Sequence, residues 1–379
     1  MSYTLQLSND RYEVLAYTDQ LMGLSVIEVV GNMLPMFELT FVDNDFEKLK
    51  YLNEKNPLTI GFQVDDRMVS SQFLIKPVKP IFTADTFTVA LGGYLNIFDY
   101  FKGLPKVPYV NGTSVEALQQ VAGAYFNTVE ISPELQTDDK MVWLHNGKNA
   151  RSFIQDIWKH MYSPHSLPMI GIGLDGVFRV SDIATLLKQE PKIKFSDTDD
   201  GDEDIELYVS AEVSDNTTGN TSLYGYTTER KIILEDTLEV VTSTQKPEVV
   251  MNTSTQMNET EMPLRNLTPM YQSTNVHKHW YEAYHQNFVR WSSLNNNTLT
   301  LTVNKLLPLN LMDLIYVKFP QRGQIGKSSD GNFIISSKVI DFDNTGDVTV
   351  TYTGIREVAQ SISTAEDLQE SSQITPYKI

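Results

Sequence analysis

Two stretches near opposite ends of the chain, FLIKPVKPIFTADTFTVALGG (73–93) and FIISSKVIDFDNTGDVTVTYTG (333–354), are written to the same plan. Phe73 and Phe82 stand opposite Phe333 and Phe342 at a constant offset of 260. One added residue in the turn then brings Phe87, Val89, Leu91 and Gly93 opposite Val348, Val350, Tyr352 and Gly354. Each copy reads as a long strand, a polar turn and an alternating strand that stops at glycine, and upstream PLTIGFQV faces LMDLIYVKF as a further strand. Alternation with a period of two marks a strand with one buried face and is cheap in sequence. A register kept across two strands and a turn is less so, and the pair reads as an internal duplication of a β-unit. Duplication has a geometric consequence: with two like units per chain, a trimer presents six quasi-equivalent units around one axis.

Working outward, residues 1–105 continue the β pattern. In LPMFELTFVD, Phe37, Leu39 and Phe41 alternate with Glu38 and Thr40, and Leu58, Ile60, Phe62 and Val64 share one face of NPLTIGFQV. Short polar connections between such strands predict a barrel or sandwich. From 106 to 190 the period changes to that of helices. TSVEALQQVAGAYF opens on Thr113 or Ser114 as an N-cap, with Val115, Leu118, Val121 and Tyr125 on one stripe. NARSFIQDIWKHMYS aligns Phe153, Ile154, Ile157, Trp158 and Met161, and GVFRVSD is a short strand, so this part reads as an inserted α/β domain. Residues 191–273 mix the strands DIELYVSAEV and ERKIILEDTLEVV with polar tracts that read as long loops, as a β segment partly completing the second barrel or the insertion. A helix with a second β-unit then fills 274–360, and a polar tail follows at 361–379. The expected fold class is mainly β with an α+β insertion.

Composition narrows the chemistry. With 379 residues the prior is two to three domains, and 41% hydrophobic residues suffice for packed cores. There is no cysteine, which excludes disulfides, thiolate zinc sites and cysteine nucleophiles. The start MSYTLQLSND has neither the basic segment nor the apolar core of a signal peptide, and no apolar run approaches bilayer length, so no membrane role is expected. A net charge of −18 argues against a surface that grips phosphate backbones, while an acidic wall lets nucleic acid pass without sticking.

Each candidate active site dissolves on inspection. VHKHWYEAYHQNFVRW (276–291) holds three of the six histidines, but none of the three lies four residues from another, as paired zinc ligands on one helix require. Val276, Trp280, Tyr284, Phe288 and Trp291 fall instead on one helical stripe, the packing face of a buttress. QRGQIGKSS (321–329) ends like a phosphate loop, yet Gln321 stands where the first glycine belongs, and a strand rather than a helix follows. SDTDDGDEDIE (196–206) lacks calcium-loop spacing, because Gly201 comes fifth and Tyr208 twelfth when counted from Asp197. No G-x-S-x-G elbow occurs. No catalytic residue, cofactor or metal ligand is assigned.

The order of parts (β-unit, α/β insertion, helix, second β-unit) resembles the central hub proteins of contractile injection machines. These are the baseplate hub of contractile-tailed bacteriophages, the late control D proteins and the N-terminal region of type VI secretion spike proteins. Leu306, Pro308, Val317, Gly331, Phe333, Ile335, Val348 and Val350 fill the family's pattern in 275–357, and ARSFIQDIWKHM is similar to the helix after its first barrel. The glycine often found after the proline is absent, with Leu309-Asn310-Leu311 in its place. The resemblance implies two tube-like β-barrels per chain and a homotrimer forming a pseudo-sixfold ring. That ring joins the tail tube protein to a trimeric spike among other baseplate proteins, in a virion assembled in the host cytoplasm, with DNA passing unbound through the lumen. Phe73, Phe82, Val89, Phe333, Phe342 and Val350, with Trp280, Phe288 and Trp291 on the helix, are then the structural or interface candidates. The C-terminal tail and the 240–273 loops are expected to meet the spike or a neighbouring subunit. The alternative is a surface-active enzyme or carbohydrate-binding protein with an acidic cleft.

Overall fold

The computed structural model describes residues 5–9, 12–15, 21–43, 57–64, 67–82, 87–97, 99–102, 106–145, 149–163, 166–198, 205–215, 227–245, 264–273, 275–294, 297–319 and 330–356. The first β-unit consists of β1 (Leu5–Asn9), β2 (Tyr12–Leu15), β3 (Leu21–Val29), β4 (Met36–Val42), β5 (Leu58–Val64), β6 (Arg67–Phe82) and β7 (Phe87–Leu95). After it come β8 (Tyr109–Gly112), α1 (Ser114–Gly123), β9 (Thr128–Ile131), β10 (Met141–Leu144), α2 (Ala150–Lys159), β11 (Pro168–Ile172), β12 (Val177–Asp182) and α3 (Ile183–Leu186). The middle of the chain gives β13 (Ile193–Ser196), β14 (Ile205–Leu207), β15 (Ser210–Asp215), β16 (Thr227–Leu234), β17 (Val240–Gln245) and β18 (Leu264–Gln272). Last are α4 (Trp280–Leu294), β19 (Asn297–Val303), β20 (Leu314–Val317), β21 (Gly331–Asp343) and β22 (Val348–Arg356).

The sequence echo is a structural repeat, residue pair by residue pair. In the first unit Ile75 pairs with Gly93, Val78 with Leu91, Pro80 with Val89 and Phe82 with Phe87. In the second, Ile335 pairs with Gly354, Lys338 with Tyr352, Ile340 with Val350 and Phe342 with Val348. These are the same four pairs under the offset read from the sequence, and both ladders carry an irregularity just after the isoleucine. The repeat extends one strand further on each side. Phe37, Leu39 and Phe41 of β4 lie beside Gly93, Leu91 and Val89, as Leu299, Leu301 and Val303 of β19 lie beside Gly354, Tyr352 and Val350. Phe73 meets Leu58 of β5, and Phe333 meets Ile315 of β20.

The glycine that closes each copy has a steric cause. A Cβ on Gly93 would run into the Leu74 carbonyl and sit 2.6 Å from the Phe37 ring. On Gly354 it would sit 2.8 Å from Phe333 Cβ and 3.2 Å from Leu299 Cδ2. The inward residues of both units make a contiguous apolar core in which Phe73, Val89, Phe333 and Val350 are fully buried.

The two units are not separate bodies. Their strands belong to a single fourteen-stranded sheet, and among the described residues no circuit of strands closes on itself. The link is β3, which pairs with β4 on one edge and with β21 on the other. The sheet curls, because Phe62 of β5 packs on Phe342 of β21 with ring centroids 5.6 Å apart. Between the units, α1 and α2 pack against each other beside the three-stranded sheet β11–β12–β9 and the pair β8–β10. Thr113 caps α1 in a capping box with Glu116, and Asn149 caps α2 through Ser152 N–H.

Three readings change in the structure. DIELYVSAEV is two strands, β14 and β15, because the chain leaves one partner at Leu207 and joins another at Ser210. ERKIILEDTLEVV is also two, the hairpin β16–β17. The tract placed among the 240–273 loops contributes β17 and β18, which flank β16 on either side. Their side chains are largely exposed, so the segment shows no hydrophobic alternation to read. The segments 199–204 and 320–329, with most of the acidic loop and all of the phosphate-loop lookalike, and the tail 361–379 lie outside the described residues.

Candidate assembly surface

The helix that carries the histidines begins at Trp280, so His277 and His279 precede it and only His285 lies on it. Its aromatic side meets the insertion. The His160 imidazole stacks on Trp280 at 3.7 Å and 8°, Trp143 lies 5.6 Å from Trp280, and Trp158 packs edge-on against Trp291 at 5.1 Å. Asn287 Nδ2 donates to the carbonyls of Met161 at 2.8 Å and Lys159 at 3.2 Å, and Arg290 donates to Ser166 O at 2.8 Å. The two Asn287 bonds satisfy carbonyls at and just past the end of α2, which have no helical partners. Phe288 departs from the expected stripe. It is 46% exposed, because α4 buries two sides and Phe288 lies on neither.

On the other side of α4, His285 is fully buried against the β16–β17 hairpin. Ser243 Oγ lies 2.9 Å from its Nδ1 and Thr228 Oγ1 lies 3.0 Å from its Nε2. Thr228 donates its hydroxyl proton to Gln245 O at 3.2 Å, so Nε2–H donates to Thr228 and Nδ1 accepts from Ser243. That directed chain needs a neutral ring, and burial together with the Arg230 charge pushes the pKa down to about 4. Burial does the same for His160, also to about 4, its Nδ1 lying 2.8 Å from Asp156 O. His277 Nε2 lies 3.0 Å from His160 O, and His279 Nδ1 is 3.0 Å from Glu282. These four rings are engaged in packing and hydrogen bonds. Among the described residues no group of three His, Asp or Glu side chains is placed to hold a metal ion.

What the structure does present is an unequal pair of sheet ends. Among the described residues, β6 from Leu74 onward is bonded only to β7, and β15 only to β19. Phe342 is 1% exposed in the second unit, whereas Phe82, its counterpart in the first, is 70% exposed and leans on Phe87 at 4.8 Å. Sequence reasoning gave both phenylalanines one role. Their environments differ because β3 covers Phe342 and no described strand covers Phe82.

Solved structures share this architecture. A tail protein from Neisseria meningitidis MC58 superposes with a TM-score of 0.62 at 11% identity, covering 95% of this chain and 98% of its own. The chain shares the fold of that tail protein. The 43 kDa tail protein of prophage MuSo2 from Shewanella oneidensis gives the same TM-score, 0.62, at 11% identity over 94% of this chain and 99% of its own. An E. coli component of the type VI secretion system, described as similar to the T4 bacteriophage tail proteins gp27 and gp5, matches at a TM-score of 0.51 and 7% identity, covering 93% of this chain and 76% of its own. No protein-family model and no curated protein sequence matches the chain. The expected class, mainly β with helices in the insertion, is present, with four helices among the described residues. No helix among the described residues is long and apolar enough to cross a membrane.

Proposed function

We propose that this chain is a structural, non-catalytic hub of a phage tail or a related contractile injection device. Three copies form a ring that adapts a sixfold tail tube to a threefold spike. The observation that carries this reading is the register repeat: two like units, joined head to tail in one sheet, supply two of six equivalent positions per chain. The net charge of −18 suits a conduit wall that does not retain passing DNA. The exposed strands β17 and β18, within 240–273, and the tail at 361–379 are the segments assigned to the spike or a neighbouring subunit. The resemblance to tail and secretion-system proteins supports the role.

Size-exclusion chromatography with light scattering, followed by negative-stain microscopy, tests it. The expected result is a particle of three chains with threefold symmetry and a central hole. Compact monomers with a deep cleft would overturn the ring and favour the enzyme or carbohydrate-binding alternative.

A further inference from the structure

The order of strands along the sheet specifies how one copy of the chain meets the next. From one end it runs β6, β7, β4, β3, then β21, β22, β19, β15. Under the repeat, β6, β7 and β4 correspond to β21, β22 and β19. The last members correspond as well, since Val26 of β3 lies beside Phe37 as Val213 of β15 lies beside Leu299. The sheet is thus the same four-strand block written twice in the same direction. The junction between blocks is β3 against β21, antiparallel, with Leu24 opposite Phe342, Ser25 opposite Asp341, Val26 opposite Ile340 and Ile27 opposite Val339. Among the described residues the block sequence leaves two unmatched edges, β15 and β6 from Leu74 onward, which are the two partners that this junction would join.

We propose that β15 of one copy pairs antiparallel with β6 of a second copy in the register of the β3–β21 junction. Ala211 then lies opposite Phe82, Glu212 opposite Ile81, Val213 opposite Pro80 and Ser214 opposite Lys79. The seam deepens the ring reading and rests on it for the number of copies, while its register rests on the internal junction alone.

Burial on the two sides supports the assignment. At the internal junction Leu24, Val26, Ile340 and Phe342 are all at most 1% exposed. Their counterparts at the open ends await a cover: Phe82 is 70% exposed and Ala211 and Val213 are only half-buried. Phe342 also reaches across its junction to Phe62, with ring centroids 5.6 Å apart, and Phe82 holds the position for the equivalent reach across the seam. On the outer face Lys79 falls diagonal to Glu212, a pair of opposite charge within reach on neighbouring strands.

Pro80 shows how the edge is guarded. Val30 N–H donates to Ser336 O at 2.8 Å, which sets the alternation that directs Ile340 N–H toward β3. Pro80 occupies the Ile340 position, so its missing N–H faces the open edge and leaves the β6–β7 ladder intact. The seam carries one hydrogen bond fewer than the junction, and an edge with a proline at this point resists indiscriminate strand addition.

The absence of cysteine makes the register directly measurable. Ile81 and Glu212 occupy a pair that does not exchange hydrogen bonds, where opposed Cα atoms lie about 4.5 Å apart, within disulfide reach. Ile81 is 47% exposed and Glu212 is exposed, so I81C/E212C leaves the core untouched. On mild oxidation of the full chain, non-reducing gels should show links between copies, with the fully linked species running as three chains. The second in-register variant, K79C/S214C, should link equally. The diagonal variant K79C/E212C should link at least about tenfold less, since its Cα atoms lie about 7–8 Å apart. Oligomers seen by light scattering with no disulfide in either in-register variant would sink the seam and leave the ring standing. Links that propagate into open ladders beyond three chains would uphold the seam and sink the ring. Disulfides confined within single chains, or unlinked monomers, would overturn the seam.

Discussion

Phe82 and Phe342 hold the same position in two copies of one unit, so their truncation separates what the chain needs from what its assembly needs. Phe342 is 1% exposed, and Phe342→Ala opens a cavity beside Phe62 that costs about 3–5 kcal/mol of chain stability. Phe82 is 70% exposed, which hides roughly 60 Å² of a side chain worth about 200 Å², so Phe82→Ala costs the single chain at most about 1.5 kcal/mol. The remaining exposed surface, roughly 140 Å² at about 25 cal/mol per Å², is available at a seam between copies. Allowing for partial cover, losing it weakens association by about 2–3 kcal/mol, or roughly 30- to 150-fold. Thermal melts of dilute, unassociated protein should place F342A about 4–6 °C below the parent and F82A within about 2 °C of it. Light scattering across a dilution series should then show F82A dissociating at concentrations where the parent stays assembled. Equal melting losses for the two variants, or an F82A that associates as the parent does, would refute the reasoning.

Gly93→Ala should destabilise by about 1–3 kcal/mol because the new methyl meets the Leu74 carbonyl and the Phe37 ring. Gly123→Ala, at the end of α1 with open space around it, should be neutral or stabilise by up to about 1 kcal/mol, and denaturant titration of both variants checks the contrast. His160 and His285 have folded pKa values of about 4 against about 6.5 unfolded, so the stability of their neutral forms is complete above about pH 6.5. It is lost as pH falls from there toward 4, by at most about 3 kcal/mol per ring. Denaturant melts at pH 7 and 4.5 should show the loss, and His160→Phe, which keeps a ring against Trp280, should reduce it; an unchanged slope would count against the assignment. Asn287→Ala strips partners from the Lys159 and Met161 carbonyls and should cost about 1–3 kcal/mol, read by tryptophan fluorescence during urea unfolding. Deleting 361–379 should abolish a stable complex with the spike, measured by co-purification; full recovery of that complex would release the tail from this role.

Much of the fold is legible where one face of a strand is buried. Phe37, Leu39 and Phe41, or Phe87, Val89 and Leu91, alternate because their neighbours face outward, and the structure buries each of them. The cap at Thr113 is legible because its hydroxyl accepts from Glu116 N–H while the Glu116 carboxylate accepts from Thr113 N–H, a reciprocal pair set by local geometry alone. The strand at 264–272 is not, since its side chains are mostly exposed and its partner β16 lies about forty residues away. Nor is the tautomer of His285, fixed by Ser243, Thr228 and Gln245 on a hairpin remote in sequence.

By itself the sequence determined that two β-units of one design stand at the ends of this chain, because strand period and turn length are local and survive as a constant offset. Only the tertiary structure decided that β3 stitches the units into one sheet and that Phe342 is sheltered while Phe82 is left open. A strand's alternation records which face it buries but not which neighbour lies at its edge, since edge pairing is made by backbone groups that every residue carries alike.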